Sequence, residues 1–340
     1  MAKKRKKKKK GSFLRKFLTF IFILVVLGIS GAFVVSNVLL GDIDKVEISD
    51  DLNISEELDK NKNIINIALF GIDTREEGDS GRADTIMVGT LDKEHKKLKL
   101  TSIMRDTYVS IPGKKYDKIN HSYAYGGPEL SIKTINQNFD MNITDYVTVN
   151  FEALEKIVDA VGGVEIDVKQ NEIEQLNIIL NELDILTDGS TEKISSSGLQ
   201  TLSGRQAVAY SRIRYAGNGD YERTERQRTV LENIVNKVLN EGSLPQALAL
   251  IKNLTPYIET SLSNTQMVGY ATSLFSSGIR TMENARLPLD EYAQEGTWNG
   301  VFYLKPNTLS DNVTYLHEFI YEESGYIPTS TVSGISNEIE

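Results

Sequence analysis

The sequence predicts an α/β layered fold with a mixed central sheet, preceded by one transmembrane helix. Two observations predict the fold: from Ile64 onward short apolar runs of strand character alternate with helical periods, and the first run, Ile64 to Phe70, is apolar on nearly every position and ends at Gly71. A third observation predicts the anchor, since Phe17 to Leu40 is 24 residues without a charge. With 340 residues, 40% hydrophobic, 25% charged and only 7 Pro, the chain can bury a sizeable core and does not have a disordered composition. The absence of cysteine excludes disulfides, thiolate nucleophiles, iron–sulfur clusters and Cys-ligated zinc. Three histidines, His95, His121 and His317, leave little for a His-based metal site.

Taken in order, residues 1–16 form a basic tail with ten Lys/Arg and no acid. A helix over residues 17–40 is about 36 Å long, enough for a hydrocarbon core of about 30 Å. By the positive-inside rule the tail is cytoplasmic and residues 41–340 lie outside, a single-pass type II topology. A cleaved signal peptide is the alternative, but its apolar core runs to about 7–15 residues, shorter than this stretch. Beside a membrane span, the lysine block sits on anionic membrane lipid more simply than on nucleic acid. The outer part holds 28 Lys/Arg against 47 Asp/Glu, a net charge of −19. It therefore repels nucleic acid, and an anionic ligand needs a local concentration of positive charge.

Residues 41–63 are acid-rich without sustained periodicity and read as an extracellular stalk. Thr85 to Leu91 and Lys97 to Ile103 read as a hairpin pair around a polar turn. Gly126-Gly127-Pro128 opens a helix to about Phe139, with Pro in its first turn. A strand at Tyr146 to Phe151, a helix at Glu152 to Val161 stopped by Gly162-Gly163, and a strand at Val164 to Val168 follow. Gln170 to Gly198 is a polar excursion with some helix. The helical period returns at Ser203, and Glu222 to Asn240 is a long amphipathic helix with Val230, Leu231, Ile234, Val235 and Val238 inward. Helices near Leu244 to Lys252 and Asn264 to Phe275, a strand near Gly300 to Leu304 and a helix from Thr308 to Glu322 complete one domain over residues 64–325, leaving a tail at 326–340.

Nine of the eleven outer arginines fall in three short segments: Arg75 and Arg82; Arg105; and Arg205, Arg212, Arg214, Arg223, Arg226 and Arg228. Planar, bidentate phosphate recognition selects arginine over lysine. Arg212 and Arg214, two apart, point to one face in extended backbone, while Arg223, Arg226 and Gln227 share a helical face. The alternative is a solvated helix surface where these arginines pair with Asp220, Glu222 and Glu225. Asp73 and Asp84 flank the loop after the first strand, where open α/β sheets place ligands. They either hold a hard divalent cation together with substrate phosphates or make local turn hydrogen bonds. Arg105-Asp106 follows a strand in the same way, with Arg105 able to contact phosphate and Asp106 to orient an arginine. His121 reads as a structural hydrogen-bonding residue.

Gly71-Ile72-Asp73-Thr74-Arg75, Arg82-Ala83-Asp84-Thr85-Ile86-Met87, Arg105-Asp106-Thr107-Tyr108, Lys118-Ile119-Asn120-His121-Ser122-Tyr123, Val161-Gly162-Gly163-Val164, Tyr210-Ser211-Arg212-Ile213-Arg214 and Arg223-Thr224-Glu225-Arg226-Gln227 appear in the order seen in the LytR-CpsA-Psr (LCP) family, which the chain resembles over about Asn63 to Val238. The resemblance implies a single α/β/α layered domain in a bacterial, Gram-positive cell-membrane enzyme. Such enzymes transfer an anionic glycopolymer, such as wall teichoic acid or capsular polysaccharide, from polyprenyl pyrophosphate to peptidoglycan, assisted by Mg²⁺ or alternatively Mn²⁺. It also implies that Asp73 and Asp84 are the metal ligands, and that Arg75, Arg82, Arg105, Arg212, Arg214, Arg223, Arg226 and Gln227 contact the pyrophosphate and head group. Arg105 would stabilise charge, and Asp84 or Asp106 would accept the proton of the attacking hydroxyl. The family also has an apolar channel for the polyprenyl tail, whose lining the sequence does not distinguish from core. Met104 stands where many members have proline, and Tyr221-Glu222 where glycine is common. Two other readings stay open: a pyrophosphatase on the same lipid-linked glycan, and a non-catalytic membrane regulator.

Overall fold

The computed structural model describes residues 45–55, 63–72, 81–216 and 219–339. The predicted membrane span, Asp73 and Arg75 lie outside them. No helix among the described residues is long and apolar enough to cross a membrane.

Six strands build the central sheet: β1 (Ile64–Ile72), β2 (Ala83–Asp92), β3 (Lys97–Ile103), β6 (Asp145–Asn150), β9 (Ile258–Thr260) and β10 (Met282–Leu287), in the order β10-β3-β2-β1-β6-β9. The sheet is mixed as predicted, because β1 pairs parallel with β6 and β10 parallel with β3, while β1–β2, β2–β3 and β6–β9 are antiparallel. Short pairs lie outside it: β4 (Tyr108–Ser110) with β5 (Tyr116–Lys118), β7 (Val164–Val168) with β8 (Gly198–Leu202), and β11 (Ala293–Trp298) with β12 (Val301–Pro306). A Cβ at Gly71 would meet the Thr85 side chain at 2.8 Å, so the close approach of β1 and β2 at the end of their ladder needs glycine.

Alternation along β1 decides the layers. Ile64, Ala68 and Phe70 point into the main core with helices α1 (Ile119–Phe139), α8 (Leu309–Tyr321) and α9 (Ser330–Ile339). Ile65, Ile67 and Leu69 face α5 (Asp220–Glu241), α6 (Leu244–Leu254) and α7 (Asn264–Ser277) on the other side. A separate cluster joins β7, β8 and helices α2 (Phe151–Ala160), α3 (Ile173–Thr187) and α4 (Gly204–Ser211) beside the sheet.

Two sequence expectations need correction. The stalk does not stand clear of the domain along its described part, since Lys45 bridges Thr260, Leu52 is buried in the main core and the Leu52 carbonyl accepts from Asn136 Nδ2 at 2.8 Å. The tail at 326–340 contains α9, whose Val332, Ile335 and Ile339 are buried against α1 and α8. The helix expected from Gly126-Gly127-Pro128 to Phe139 is found, since both glycines are non-helical (φ −161° and 62°), and a further helical stretch from Ile119 precedes the bend. The edge strands β9 and β10 escaped notice because they are short or polar and gain their pairing from the sheet.

Candidate active site

The β2–β3 register that pairs Ile86 with Ile103 carries Asp84 and Arg105, two residues further out on each chain, opposite one another. Arg105 Nη1 donates to Asp84 Oδ1 at 2.6 Å and Nη2 to Asp220 Oδ2 at 3.0 Å, while Nε lies 3.3 Å from Asp106 Oδ2. Burial opposes the charge of Arg105, but the Asp84, Asp220 and Asp106 carboxylates outweigh it and raise its pKa. Asp106 in turn accepts from Lys118 Nζ at 2.6 Å, so both its oxygens face cations.

The first turn of α5 brings in Arg223, which is 3% exposed. Its Nη2 donates to the Asp84 backbone carbonyl at 3.3 Å, its Nη1 is 4.0 Å from Asp84 Oδ2 and its Nε is 3.5 Å from Asp220 Oδ1. Arg214 approaches the same two carboxylates, with Nη2 at 3.5 Å from Asp84 Oδ2 and Nε at 3.8 Å from Asp220 Oδ1. Burial, then the charges of Arg105 and Arg214, push Arg223 down to about 10, against the opposing pull of Asp220 and Asp84. Asp220 moves the other way: burial favours its neutral form, yet Arg223, Arg105 and Arg214 together hold it below the usual carboxylate range. Around Arg223 three arginines, Arg105, Arg214 and Arg223 itself, share the two carboxylates Asp84 and Asp220. A further anion there relieves cation–cation repulsion.

These groups open on a cleft of about 330 Å³ lined by Asp84, Phe151, Arg212, Arg214, Arg223 and Gln227, with α3 forming the far wall through Gln175, Ile178 and Glu182. Arg212 stacks over the Phe151 ring, 4.7 Å from its centroid. The extended Arg212-Ile213-Arg214 segment is not found: Arg212 caps α4 with φ −98° and ψ −6°, and the two arginines reach the cleft from a turn.

Arg226 does not join them. It is 3% exposed, and it bonds Glu172 Oε1 at 2.8 Å, Glu222 Oε2 at 2.6 Å and the carbonyls of Ile213 and Ala216 at 3.1 and 2.9 Å. It therefore ties the Arg212–Arg214 turn to α5 and is turned away from the cleft, because Glu172 and two loop carbonyls supply what a ligand would. Arg82 is exposed at the start of β2, near Tyr125. His121 bonds Asp117 at 2.8 Å, a structural contact. Met104 is buried and its sulfur accepts from the Thr224 hydroxyl at 3.3 Å.

A second cavity, of about 430 Å³, opens between the sheet and α5–α7. Its walls are apolar: Ile67, Leu69, Val147 and Val149 from the sheet, and Ile251, Met267, Ala271 and Leu274 from the helices. Val149 and Ile157 line this cavity and Phe151 lines the cleft, so the junction of β6 and α2 borders both. The family resemblance implied an apolar channel, but sequence reasoning identified neither its lining nor the role of Asp220, read only as a surface partner of arginine, since neither carries a local signal that separates it from core or helix surface.

Among the described residues, one group of three potential metal ligands comes together, Asp92, His95 and Glu322. Lys99 Nζ already sits 2.9 Å from Glu322 and 3.6 Å from Asp92, which makes it a salt cluster. The carboxylates that line the cleft are Asp84 and, on the far wall, Glu182, with Asp220 beside Asp84 in the arginine cluster. Asp84 Oδ2 has no cation nearer than 3.5 Å among the described residues, so this oxygen fits a divalent ion that completes its shell with substrate phosphates and water.

The sequence profile described as the LytR_cpsA_psr family matches residues 35–316. A relative from Enterococcus faecalis, named polyisoprenyl-teichoic acid–peptidoglycan teichoic acid transferase TagU, is 37% identical over 240 residues, covering 69% of this chain and 74% of its own. The solved structure of TagT bound to LI-WTA superposes with a TM-score of 0.63 at 27% identity, over 83% of this chain and 98% of that one. That of the LytR-CPS2A-psr family protein YwtF (TagT) with bound octaprenyl pyrophosphate lipid gives 0.60 at 27%, over 82% and 100%. With a mixed sheet that sets an arginine-rich cleft beside an apolar cavity, and with this match over most of its length, the chain belongs to the LytR_cpsA_psr family.

Proposed function

We infer that the protein is a phosphotransferase that moves an anionic glycopolymer, such as wall teichoic acid, from a polyprenyl pyrophosphate carrier to peptidoglycan. The observation that carries this reading is the adjacency of the two cavities. A lipid pyrophosphate is amphiphilic, with two charged phosphates next to a long hydrocarbon tail, and it needs a cationic site continuous with an apolar one. Arg212, Arg214 and Arg223 line the cleft and receive the phosphates, with Arg105 behind them on Asp84, and the cavity between the sheet and α5–α7 receives part of the tail. The TagU relative bears a transferase name of this kind, and the TagT structures hold a polyprenyl pyrophosphate and a wall teichoic acid ligand.

In the reaction, a sugar hydroxyl oxygen of the acceptor attacks the phosphorus that carries the glycan. A new P–O bond forms, the P–O bond to the lipid phosphate breaks, and lipid monophosphate leaves. Negative charge accumulates on the phosphoryl oxygens, where preorganised arginines lower the barrier without reorganising. Arg223 is suited to this because burial and the neighbouring Arg105 and Arg214 charges make its own charge costly until an anion sits beside it. Asp84, not Asp106, is the carboxylate with an oxygen open to the cleft, and it serves as metal ligand or proton acceptor. Asp106 holds Arg105 and Lys118 in place. A Mg²⁺ ion, with Mn²⁺ as substitute, would be held at Asp84, with Asp73 as the second ligand implied by the family pattern, and would add Lewis-acid stabilisation of the phosphoryl oxygens. The uncharged run Phe17 to Leu40 anchors the chain in the cell membrane with the domain outside.

The test uses the full chain in detergent with a lipid pyrophosphate-linked glycan and peptidoglycan oligomers, with and without Mg²⁺, read by mass spectrometry. A phosphodiester-linked product requiring both acceptor and Mg²⁺ is expected. Glycan phosphate released without regard to acceptor makes the protein a pyrophosphatase, and an intact donor in every condition makes it a non-catalytic binder.

A further inference from the structure

We propose that the β11–β12 hairpin and the surface beside it form a platform for the acceptor, a chain of N-acetylated amino sugars bearing carboxylates. The hairpin lies outside the central sheet and closes on Asn299-Gly300, both with positive φ (51° and 80°), a tight two-residue turn that suits the strand twist. Its second strand is fastened to the catalytic loop: the Leu304 N–H donates to the Asp106 carbonyl at 2.9 Å, and Leu304 bridges Thr107.

Large apolar side chains stay in solvent here. Phe302 is 44% exposed, and Tyr125, across the surface, is 49% exposed. The hairpin register puts Trp298 and Tyr303 on one face, with ring centroids 6.4 Å apart, and Phe302 on the other, and Tyr303 packs edge-on against Tyr108 at 5.0 Å. Lysines lie among the rings: Lys118 Nζ is 5.9 Å from the Phe302 centroid and 5.8 Å from that of Tyr303, and Lys305 Nζ is 5.3 Å from that of Trp298. Asp117 accepts from the Tyr125 hydroxyl at 2.8 Å and gathers His121 at the same distance, so the polar edge of the platform is held rigid.

Aromatic faces carry negative potential, and the C–H faces of pyranose rings, polarised by their oxygens, pack on them. Lysine ammonium groups between the rings add point charges that match carboxylates and hydroxyls. The phosphates of the donor have their own site, because the arginine cleft lies on the other side of Arg105 and its lining contains no hairpin residue. One chain of contacts joins the two surfaces. Asp84 meets Arg105, Arg105 meets Asp106, Asp106 meets Lys118, and Lys118 lies over Phe302 and Tyr303. An acceptor laid on the rings therefore runs toward the phosphates. That the bound sugar chain is an acceptor rests on the transferase reading above. That the rings and lysines bind an acidic sugar chain does not.

Trp298 is the chain's single tryptophan, so its fluorescence reports on the platform directly. The full chain in detergent is titrated with a tetrasaccharide of alternating N-acetylglucosamine and N-acetylmuramic acid, and in parallel with a poly(glycerol phosphate) oligomer. A saturable change with the tetrasaccharide alone is expected, weakened about tenfold in Tyr303→Ala and restored in Tyr303→Phe. In the transfer assay, Tyr303→Ala raises KM for the acceptor by a similar factor while KM for the donor keeps its wild-type value. No response to the tetrasaccharide, an equal or stronger response to the polyphosphate, or a rise in donor KM alone overturns the proposal. Fluorescence binding without any transfer in any variant sinks the transferase reading and leaves the platform standing, whereas transfer without a fluorescence response sinks the platform alone.

Discussion

The two faces of the central sheet are alike in sequence and opposite in packing. Along β1, Ala68 and Phe70 point one way, Ile67 and Leu69 the other, and both sets are apolar. The first set meets α1, α8 and α9 in a filled core where Phe139, Ile132, Ile135 and Leu316 are all at or below 1% exposure. The second set meets α5–α7 across a cavity of about 430 Å³, and its residues remain only partly buried. Interiors normally close-pack, so an apolar gap of this size forfeits contact energy that folding would otherwise gain. The filled face supplies stability, and the open face gives up some of it to make room for a ligand.

The sharpest break is at the cleft, where the open face ends. Arg105→Ala removes the cation that holds Asp84, Asp106 and Asp220 together, and transfer should fall by about 10³-fold, the scale of losing one preorganised donor to a transition-state oxyanion. Initial rates with the lipid-linked donor measure it, and an unchanged circular dichroism spectrum separates chemistry from unfolding. A paired truncation tests the contrast between the faces. Phe139→Ala on the filled face should cost roughly 3–5 kcal/mol, whereas Leu274→Ala, which trims a cavity wall, should cost about 1 kcal/mol or less. Denaturant midpoints of the two variants decide it, and equal losses would mean that the open face is packed in solution.

Filling the gap should have the reverse signature. Ala271→Trp projects an indole into the cavity, so KM for a long-chain donor should rise about tenfold while a donor with a truncated lipid is used as well as before. Thermal melting should show no loss, because the added ring finds apolar partners. The smallest effect concerns His317, buried on the filled face with its ring 3.7 Å from that of Tyr326. Burial pushes its pKa down to about 4 from 6.5, against the opposing hydrogen bond to the Phe139 carbonyl. The unfolded chain then binds a proton between about pH 6.5 and 4 that the native state refuses. Stability therefore falls with falling pH across that window, by up to about 1.4 kcal/mol per pH unit. His317→Gln should flatten the slope of denaturant stability against pH over the same range.

Motifs made of charged residues were readable because their chemistry is local. Asp84 begins a strand, Arg105 follows a strand end, Arg214 follows a helix and Arg223 opens one, and few structural roles would gather so many arginines in an acidic domain. Arg226 shows where this reading stops. Its helical spacing from Arg223 is the same whether it faces a ligand or a carboxylate, and only the arrival of Glu172 from 54 residues away decided for the carboxylate. Asp220 is the converse: a helix-surface acid by spacing, it becomes the second anchor of Arg105 across 115 residues.

By itself the sequence determined the alternation of strands and helices, the two apolar faces of β1, the arginine-rich segments and the uncharged run near the amino terminus, since each depends on periodicity or composition within a few residues. The tertiary structure alone decided that one apolar face is filled and the other left open, that Arg226 braces a turn while Arg223 faces the cleft, and that the polar hairpin at 293–306 reaches the Arg105–Asp106 loop. Those outcomes depend on which distant side chain occupies the neighbouring space, and packing across 50 to 250 residues of sequence leaves no mark on local pattern.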